Sequence, residues 1–491
     1  MPAFTQSDII AKKLKNNRSM SELQFFAREL LDFKKSAARR EMLDGERYYS
    51  GNQEILGRVR TAIGNDGKLQ PVANLPNNKI LDNQYAKHLD QKKNYLLGKP
   101  ISFESENEAY VGAVKKVLGR KFMRELKNVG CEALCGGIAW LYPYYDNTNT
   151  LAFRLFPSYE ILPFWSDGGH TELDCALRLY ELETYVGQEK KTVEKVDIFK
   201  VEGVSSYVFE NGILKPDPEA VEANYITVVD AKGEELAYNW ERVPLIAVKY
   251  NAKEIPLIRR VKQLQDAINL LMSDFVNNMQ EDVRNTILVL SNHDGTDLGE
   301  FRHNLSTFGV VKVRTVDGVG GAVSTLHIEV DADNYKIVLE LLKKALIENA
   351  RSYDGKDDRL SGNPNQMNIQ SMYSDIDLDA NDMETEMQAS FEDILWFVNK
   401  HLANTGAGDF EGEDIGVIFN RDMLINETEA IGNCVKSVGI ISNETIISQH
   451  PWTSDTTAEL SRLKAEKAEA EDDPYRGAFE APLTGGVANE K

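Results

Sequence analysis

The sequence predicts an α+β protein in which long helices carry a small β-rich module away from a mixed body. Three observations predict this class. An amphipathic helix pattern from Ile255 to Val283 leads into a strand-and-turn insert, Thr286 to Val330, and a second helix pattern runs from Asn334 to Tyr353. The stretch from Leu151 to Tyr250 reads mostly as strands. A loop rich in glycine and asparagine then precedes a third, strongly acidic helix. Two helices closing over a β insert form a lever, which suits a machine part better than a substrate pocket.

In chain order, an N-terminal helix pattern runs from Glu22 to Leu43 and ends in the turn-like Tyr48 to Asn52. Residues Ile63 to Pro76 read as a loop, because Gly64, Asn65, Gly67, Pro71 and Pro76 fall within them. Asn77 and Asn78 open a helix through Ile80, Leu81, Tyr85, Leu89 and Leu96, and Gly98 and Pro100 stop it. Phe122 to Leu134 is helical and passes through Gly136 and Gly137 into an aromatic strand, Trp140 to Tyr145. Strand candidates follow at Leu173–Leu182, Val193–Val201, Val204–Phe209 and Ile226–Val229, with turn signals at Asn211-Gly212 and Lys232-Gly233. No internal repeat is visible.

The first long helix places Val261, Leu264, Ile268, Leu271, Phe275, Met279 and Val283 on one face. Its roughly 30 residues at 1.5 Å each give about 45 Å of helix. Tyr335, Val338, Leu339, Leu342, Leu346 and Ala350 form the stripe of the second. Asp331 and Asp333 ahead of the second helix suit its N-terminal dipole; the first does the opposite. Arg259, Arg260 and Lys262 crowd its start, and Glu281 and Asp282 crowd its end. Such charges imply partners on another element or another subunit, and the reading assigns these five residues to contacts between subunits.

Near the C-terminus, Asn426 to Glu429 and Ser442 to Thr445 resemble N-terminal capping patterns. Ala458 to Asp473 alternates Glu, Lys and Ala like a solvated helix, and Pro474 to Lys491 reads as a disordered tail.

Composition removes several classes. No run approaches the ~18 apolar residues of a membrane span, and Met1 to Asn16 lacks a secretory pattern, so the expected site of synthesis is a cytoplasm. Four cysteines are too few and scattered for a disulfide framework. Cys131 and Cys135 lie one helical turn apart, but no histidine or second pair completes a metal site, so they read as buried thiols. A net charge of −21 argues against tight DNA binding, though not against a surface that DNA slides past.

Enzyme motifs are missing. Asp317 to Ala322 is glycine-rich but lacks the Lys-Ser/Thr of a P-loop, and neither Gly-x-Ser-x-Gly nor His-Glu-x-x-His occurs. His293 and His303 lack partners at ligand spacing. The reading expects no catalytic residues, no metal and no cofactor. A competing reading sees calcium in Asp375, Asp377, Asp379, Asn381 and Glu386, which match EF-hand positions. Ala380, however, stands where that loop requires glycine, and the apolar residues that follow look helical.

The segment from Asn77 to Phe103, Asn-Asn-Lys-Ile-Leu-Asp-Asn-Gln-Tyr-Ala-Lys-His-Leu-Asp-Gln-Lys-Lys-Asn-Tyr-Leu-Leu-Gly-Lys-Pro-Ile-Ser-Phe, closely resembles a hallmark of portal proteins from long-tailed double-stranded-DNA bacteriophages. Leu155 to Pro163, the helix–insert–helix middle and Gly439 to Ile446 support the resemblance, which spans most of Glu22 to Glu471. It implies the phage portal fold: an α/β wing, a long-helix stem, a small β-rich clip and a C-terminal helical crown. It also implies a closed ring, of about twelve copies, at one capsid vertex of the virion. A further alternative is a scaffold or minor capsid component sharing the wing fold.

By that resemblance, residues 1–254 are the wing, 255–284 and 331–353 the stem, and 285–330 the clip. Residues 354–368 are a tunnel loop, 369–421 a long wing helix and strand, 422–473 the crown, and 474–491 the tail. Lys356, Asp357, Asp358, Arg359, Asn363 and Asn365 would face DNA in the channel. Thr286, Val289, Val311 and Val313 would bind partners at the clip. The implied partners are further copies of the chain, double-stranded DNA, the terminase large subunit, a head–tail adaptor, and capsid and scaffold proteins.

Overall fold

The computed structural model describes residues 20–63, 67–72, 75–186, 188–218, 223–229, 235–282, 287–291, 322–326, 332–355, 366–421, 427–453 and 456–471. Helix α1 (Glu22–Lys35) starts at a capping box, in which Ser21 and Gln24 exchange backbone and side-chain hydrogen bonds. Helix α2 (Ala37–Tyr49) follows after one residue. The sequence reads this span as one helix. Ser36 breaks it: its backbone is extended, its N–H donates to the Phe33 carbonyl, and its hydroxyl caps Arg39 N.

Strands β1 (Thr61–Ile63) and β2 (Leu69–Pro71) form a hairpin where the sequence suggests only a loop. Helix α3 (Gln84–Leu97) begins seven residues later than Asn77, because Asn83, not Asn77 or Asn78, is the N-cap that accepts from Ala86 N. Strand β3 (Ser102–Glu104) and helix α4 (Glu108–Val117) carry no strong signal in the sequence. Helix α5 (Arg120–Gly136) then turns sharply into β4 (Ile138–Tyr145). Gly137 makes that turn with φ +84°, and a Cβ there would sit 2.1 Å from the Glu254 carbonyl oxygen, so only glycine fits.

Strands β5 (Leu151–Phe156), β6 (Ile161–Trp165), β7 (Leu173–Val186), β8 (Glu189–Lys200), β9 (Gly203–Glu210) and β10 (Ile213–Pro216) follow. Five of them form an antiparallel meander in the order β10-β9-β8-β7-β6. Asn211 and Gly212, both at positive φ, make the tight β9–β10 turn that their dipeptide predicts. Strands β11 (Ile226–Val229) and β12 (Glu235–Tyr238) pair with each other, while β13 (Ile246–Lys249) joins β4 and β5. Helix α1 lays Phe25, Phe26 and Leu30 on the meander, against Phe164, Leu177 and Val196.

Helix α6 (Ile258–Asp282) and helix α7 (Ala332–Asn349) pack antiparallel, Phe275 against Tyr335 at 4.8 Å, with Arg260 near the start of α6 and Arg351 just after α7 both reaching Asp379. Between them β14 (Ile287–Ser291) pairs with β15 (Ala322–Leu326). Helix α8 (Gln366–Asn404) is a single element of 39 residues that lines the main core with Met372, Ile376, Met383, Phe391 and Val398. Strand β16 (Gly416–Ile418) pairs back onto β3. Helices α9 (Glu427–Ser437), α10 (Asn443–Ser448) and α11 (Thr456–Glu471) close the described chain, with Ser442 capping α10 as its sequence suggests. Among the described residues, no helix is long and apolar enough to cross a membrane.

Candidate functional site

The lever predicted from the sequence is attached to the body in a way periodicity did not foretell. Of the apolar stripe, Val261 and Ile268 are fully buried, but Leu264, Leu271 and Phe275 are only half-buried and Met279 is exposed. From Gln265 onward, the line of α6 buried most deeply is polar: Gln265, Asn269, Ser273 and Asn277 are each fully buried. Burial of four uncompensated side chains would be costly, and each finds a partner, although Asn277 Nδ2 is buried without one among the described residues.

Their partner is the backbone of residues 78–85. Asn78 N donates to Asn277 Oδ1 (2.7 Å), Ile80 N to Ser273 Oγ (2.9 Å) and Asp82 N to Asn269 Oδ1 (3.0 Å). Gln265 closes the row, donating to the Asp82 carbonyl (2.7 Å) and accepting from Tyr85 N (2.9 Å). The match is one of pitch. Four helix residues rise about 6 Å, and two extended residues span about 6.6 Å, so the alternate amides 78, 80 and 82 of this strap, residues 78–85, meet successive turns. Asn269 also donates to Gln53 Oε1 (2.6 Å), and Gln53 donates to Asn83 Oδ1 (2.9 Å), which ties the row to the end of α2.

At the base of the α6–α7 hairpin, charge replaces amides. Asp379 of α8 is buried and accepts from Lys92 Nζ (2.7 Å) and the Tyr250 hydroxyl (2.8 Å), with Arg260 at 3.4 Å and Arg351 at 3.9 Å. Burial pushes the Lys92 ammonium pKa down, and Asp379 opposes the shift. Burial, then Asp379, pushes the Tyr250 hydroxyl well above its ordinary range. One carboxylate thus joins α3, the end of β13, both ends of the hairpin and α8. Two residues earlier on α8, Asp377 meets Arg421, which also reaches Glu384 (2.7 Å), while Tyr95 donates to Asp377 (2.9 Å).

The charges at the start of α6 therefore have partners within the chain. Arg259 lies 3.7 Å from Glu41, Arg260 faces Asp379, and Lys262 lies 3.2 Å from Glu54 and 3.7 Å from Asp44. The dipole-opposing pattern is answered by neighbouring helices and by the segment after α2, so it does not by itself call for another subunit. Glu281 and Asp282 end α6, but their side chains lie outside the described residues. So do Lys356, Asp357, Asp358, Arg359, Asn363 and Asn365 of the expected channel loop, and Thr286, Val311 and Val313 of the insert. Val289 is placed in β14, with its backbone opposite Ser324.

The residues that match EF-hand positions do not form a loop. Asp375 to Glu386 lies inside a continuous helix, where residues two apart point to different sides, and Asp377 and Asp379 are engaged by different cations. Among the described residues no cluster of metal-ligating side chains occurs. The two thiols one turn apart are free, Cys135 buried and Cys131 half-buried.

A mixed body to which a two-helix arm is fastened by a buried polar row defines an arm-bearing protein. Residues 31–473 match the family described as phage portal protein, SPP1 Gp6-like, and the chain belongs to that family, whose members are structural head–tail connectors of the virion. The chain is 27% identical over 468 residues to the portal protein of Bacillus phage SPP1, covering 91% of each chain. It is 28% identical over 456 residues to the portal protein of Clostridium phage phiCD119, covering 89% of this chain and 94% of that one. Two solved structures, of the virion of a native gene transfer agent particle and of its neck computed with C12 symmetry, align at 10% identity. Each alignment covers 73% of this chain and 87% of the other, with TM-scores of 0.37 and 0.34. Family membership also removes the scaffold alternative.

Proposed function

We propose that this portal subunit assembles into a closed ring of about twelve copies through which double-stranded DNA enters the head and later leaves it. Residues 1–254 and 369–421 serve as the wing, 255–284 and 331–353 as the stem, 285–330 as the clip and 422–473 as the crown. The clip docks the terminase large subunit during packaging and the head–tail adaptor afterwards; the wing and crown meet capsid and scaffold proteins. The chain catalyses nothing, and the motor hydrolyses the nucleotide.

The observation that carries this reading is the anchored hairpin. An α6 of about 37 Å is tied along one side to the strap and holds a two-stranded module at the end remote from Asp379, as a fixed spacer between body and docking partner requires. Charge supports it: with a net charge of −21, the ring repels phosphate over a Debye length of about 8–10 Å, which limits adhesion that would stall a moving duplex. The tunnel loop that faces this duplex is residues 354–365, because 366–368, expected in the loop, open helix α8.

The test uses particles assembled with a chain shortened across Gly362–Asn365. Rings seen by negative-stain imaging should persist, because loop shortening costs little, while DNA packaged per particle should fall. Normal packaging would refute the assignment of the loop, and failure of the unaltered protein to form closed rings would refute the whole reading.

A further inference from the structure

The two chain segments flanking residues 356–365 are both fastened to α3. On the incoming side, Lys92 Nζ donates to the Arg351 carbonyl (3.0 Å) while holding Asp379 Oδ2 (2.7 Å). Arg351 sits at φ +48°, a left-handed conformation that a non-glycine residue keeps only when its surroundings hold it there. Its guanidinium lies 3.2 Å from Asp382 of α8. Two residues on, the Tyr353 ring meets Tyr373 at 4.5 Å, and Tyr373 stacks on Tyr95 of α3 at 5.6 Å. Tyr373 and Asp379 belong to the outgoing helix, α8. A buried ammonium and a trio of tyrosines thus clasp the end of α7 and the first turns of α8 to one helix.

We propose that Lys92 is a positioning residue for the DNA-facing segment: by joining the Arg351 carbonyl to Asp379 it fixes where that segment leaves α7 relative to where it enters α8. The inference rests on the reading of 354–365 as the tunnel loop. Lys92 suits the role better than its partner does as a target of substitution. Asp379→Asn would leave Lys92, Arg260 and Arg351 around a neutral amide, with a buried cation unpaired. Lys92→Met strands no charge, because Asp379 keeps the Tyr250 hydroxyl and Arg260. It removes the tie to Arg351 and preserves most of the packed volume.

The experiment compares full-length rings and assembled particles carrying the wild-type chain, Lys92→Met or Lys92→Arg, beside the shortened-loop chain. Lys92→Met rings should form. Their amide hydrogen exchange should quicken by about tenfold over residues 350–355 and stay unchanged over the strap, residues 78–85. DNA packaged per particle should fall, and Lys92→Arg should restore both readings. Unchanged exchange over 350–355 overturns the proposal, as does normal packaging by Lys92→Met when the shortened loop packages poorly. If the shortened loop packages normally, the tunnel-loop reading fails and this proposal fails with it, while the exchange data still decide whether Lys92 fastens Arg351. Should Lys92→Met give no rings, the same exchange comparison is made on the unassembled full-length chains, where unchanged exchange over 350–355 overturns the proposal.

Discussion

Replacing Asn269 by leucine tests whether the buried amide row holds the arm. Asn269 makes three hydrogen bonds: Asp82 N and Gln265 Nε2 donate to its Oδ1, and its Nδ2 donates to Gln53 Oε1. Leucine nearly matches the volume but makes none of them. Gln265 Nε2 keeps the Asp82 carbonyl at 2.7 Å, so it is not stranded. Asp82 N and Gln53 Oε1 lose the partner that Asn269 supplies. Two stranded groups at ~2 kcal/mol each, less ~1 kcal/mol for the added apolar burial, leave a cost of about 3 kcal/mol. At 1.4 kcal/mol per decade that is about a hundredfold in the opening equilibrium of the strap. Hydrogen exchange of assembled rings reads it directly: amides of residues 78–85 should exchange about two decades faster. Leu270→Ala, at the neighbouring exposed position, should leave them alone. A change of less than about threefold, ~0.6 kcal/mol, or an equal change in the control, would mean that something other than the row holds the strap.

Two further outcomes follow from side chains nearby. Glu132 is buried where its Oε1 accepts from Ser158 N (3.0 Å) and Oγ (3.2 Å), and burial pushes its carboxyl pKa up to about 7 from an ordinary 4.5. A carboxyl raised in the folded state contributes stability that is full below about pH 4.5 and is lost as pH rises through about 7. Glu132→Gln keeps an acceptor for Ser158 and removes the titration. It should raise stability at pH 8 by about 3 kcal/mol and flatten the slope between pH 5 and 8; denaturant titrations at the two ends that show a loss at pH 8 would refute this. Arg421→Ala cuts the contacts to Asp377, Asn381 and Glu384 just before the C-terminal helices. With partly exposed partners the cost to global stability is about 1 kcal/mol, but limited proteolysis should release residues 427–471 faster, and an unchanged digestion pattern would refute the tie.

The long helices, the three central strands of the meander and its Asn211-Gly212 turn were legible because their signals are local: three- and four-residue apolar steps, period-two strands, a dipeptide that suits positive φ. The joint was not, because its signals are partnerships across about 200 residues, such as Asn78 with Asn277. Asn77 and Asn78 resemble helix caps, and the apolar Ile80 and Leu81 that follow extend the illusion; nothing local says that this backbone donates to α6 instead. Yet two features of the sequence pointed to burial. Gln265, Asn269, Ser273 and Asn277 form a strict four-residue row with no charge in it, whereas a helix face left to water ordinarily carries Lys, Glu or Arg. Lys92 and Asp379 each interrupt an apolar row, Tyr85, Leu89 and Leu96 in one helix and Ile376, Ala380 and Met383 in the other. A charge on the face that must enter a core needs an opposite charge there. Two such interruptions of opposite sign, on helices that both belong to the core, identify each other. The acidic string from Asp375 to Glu386 therefore contains a core ion-pair residue, not a set of metal ligands, and helical spacing separates Asp379 from its exposed neighbours more reliably than their shared chemistry unites them.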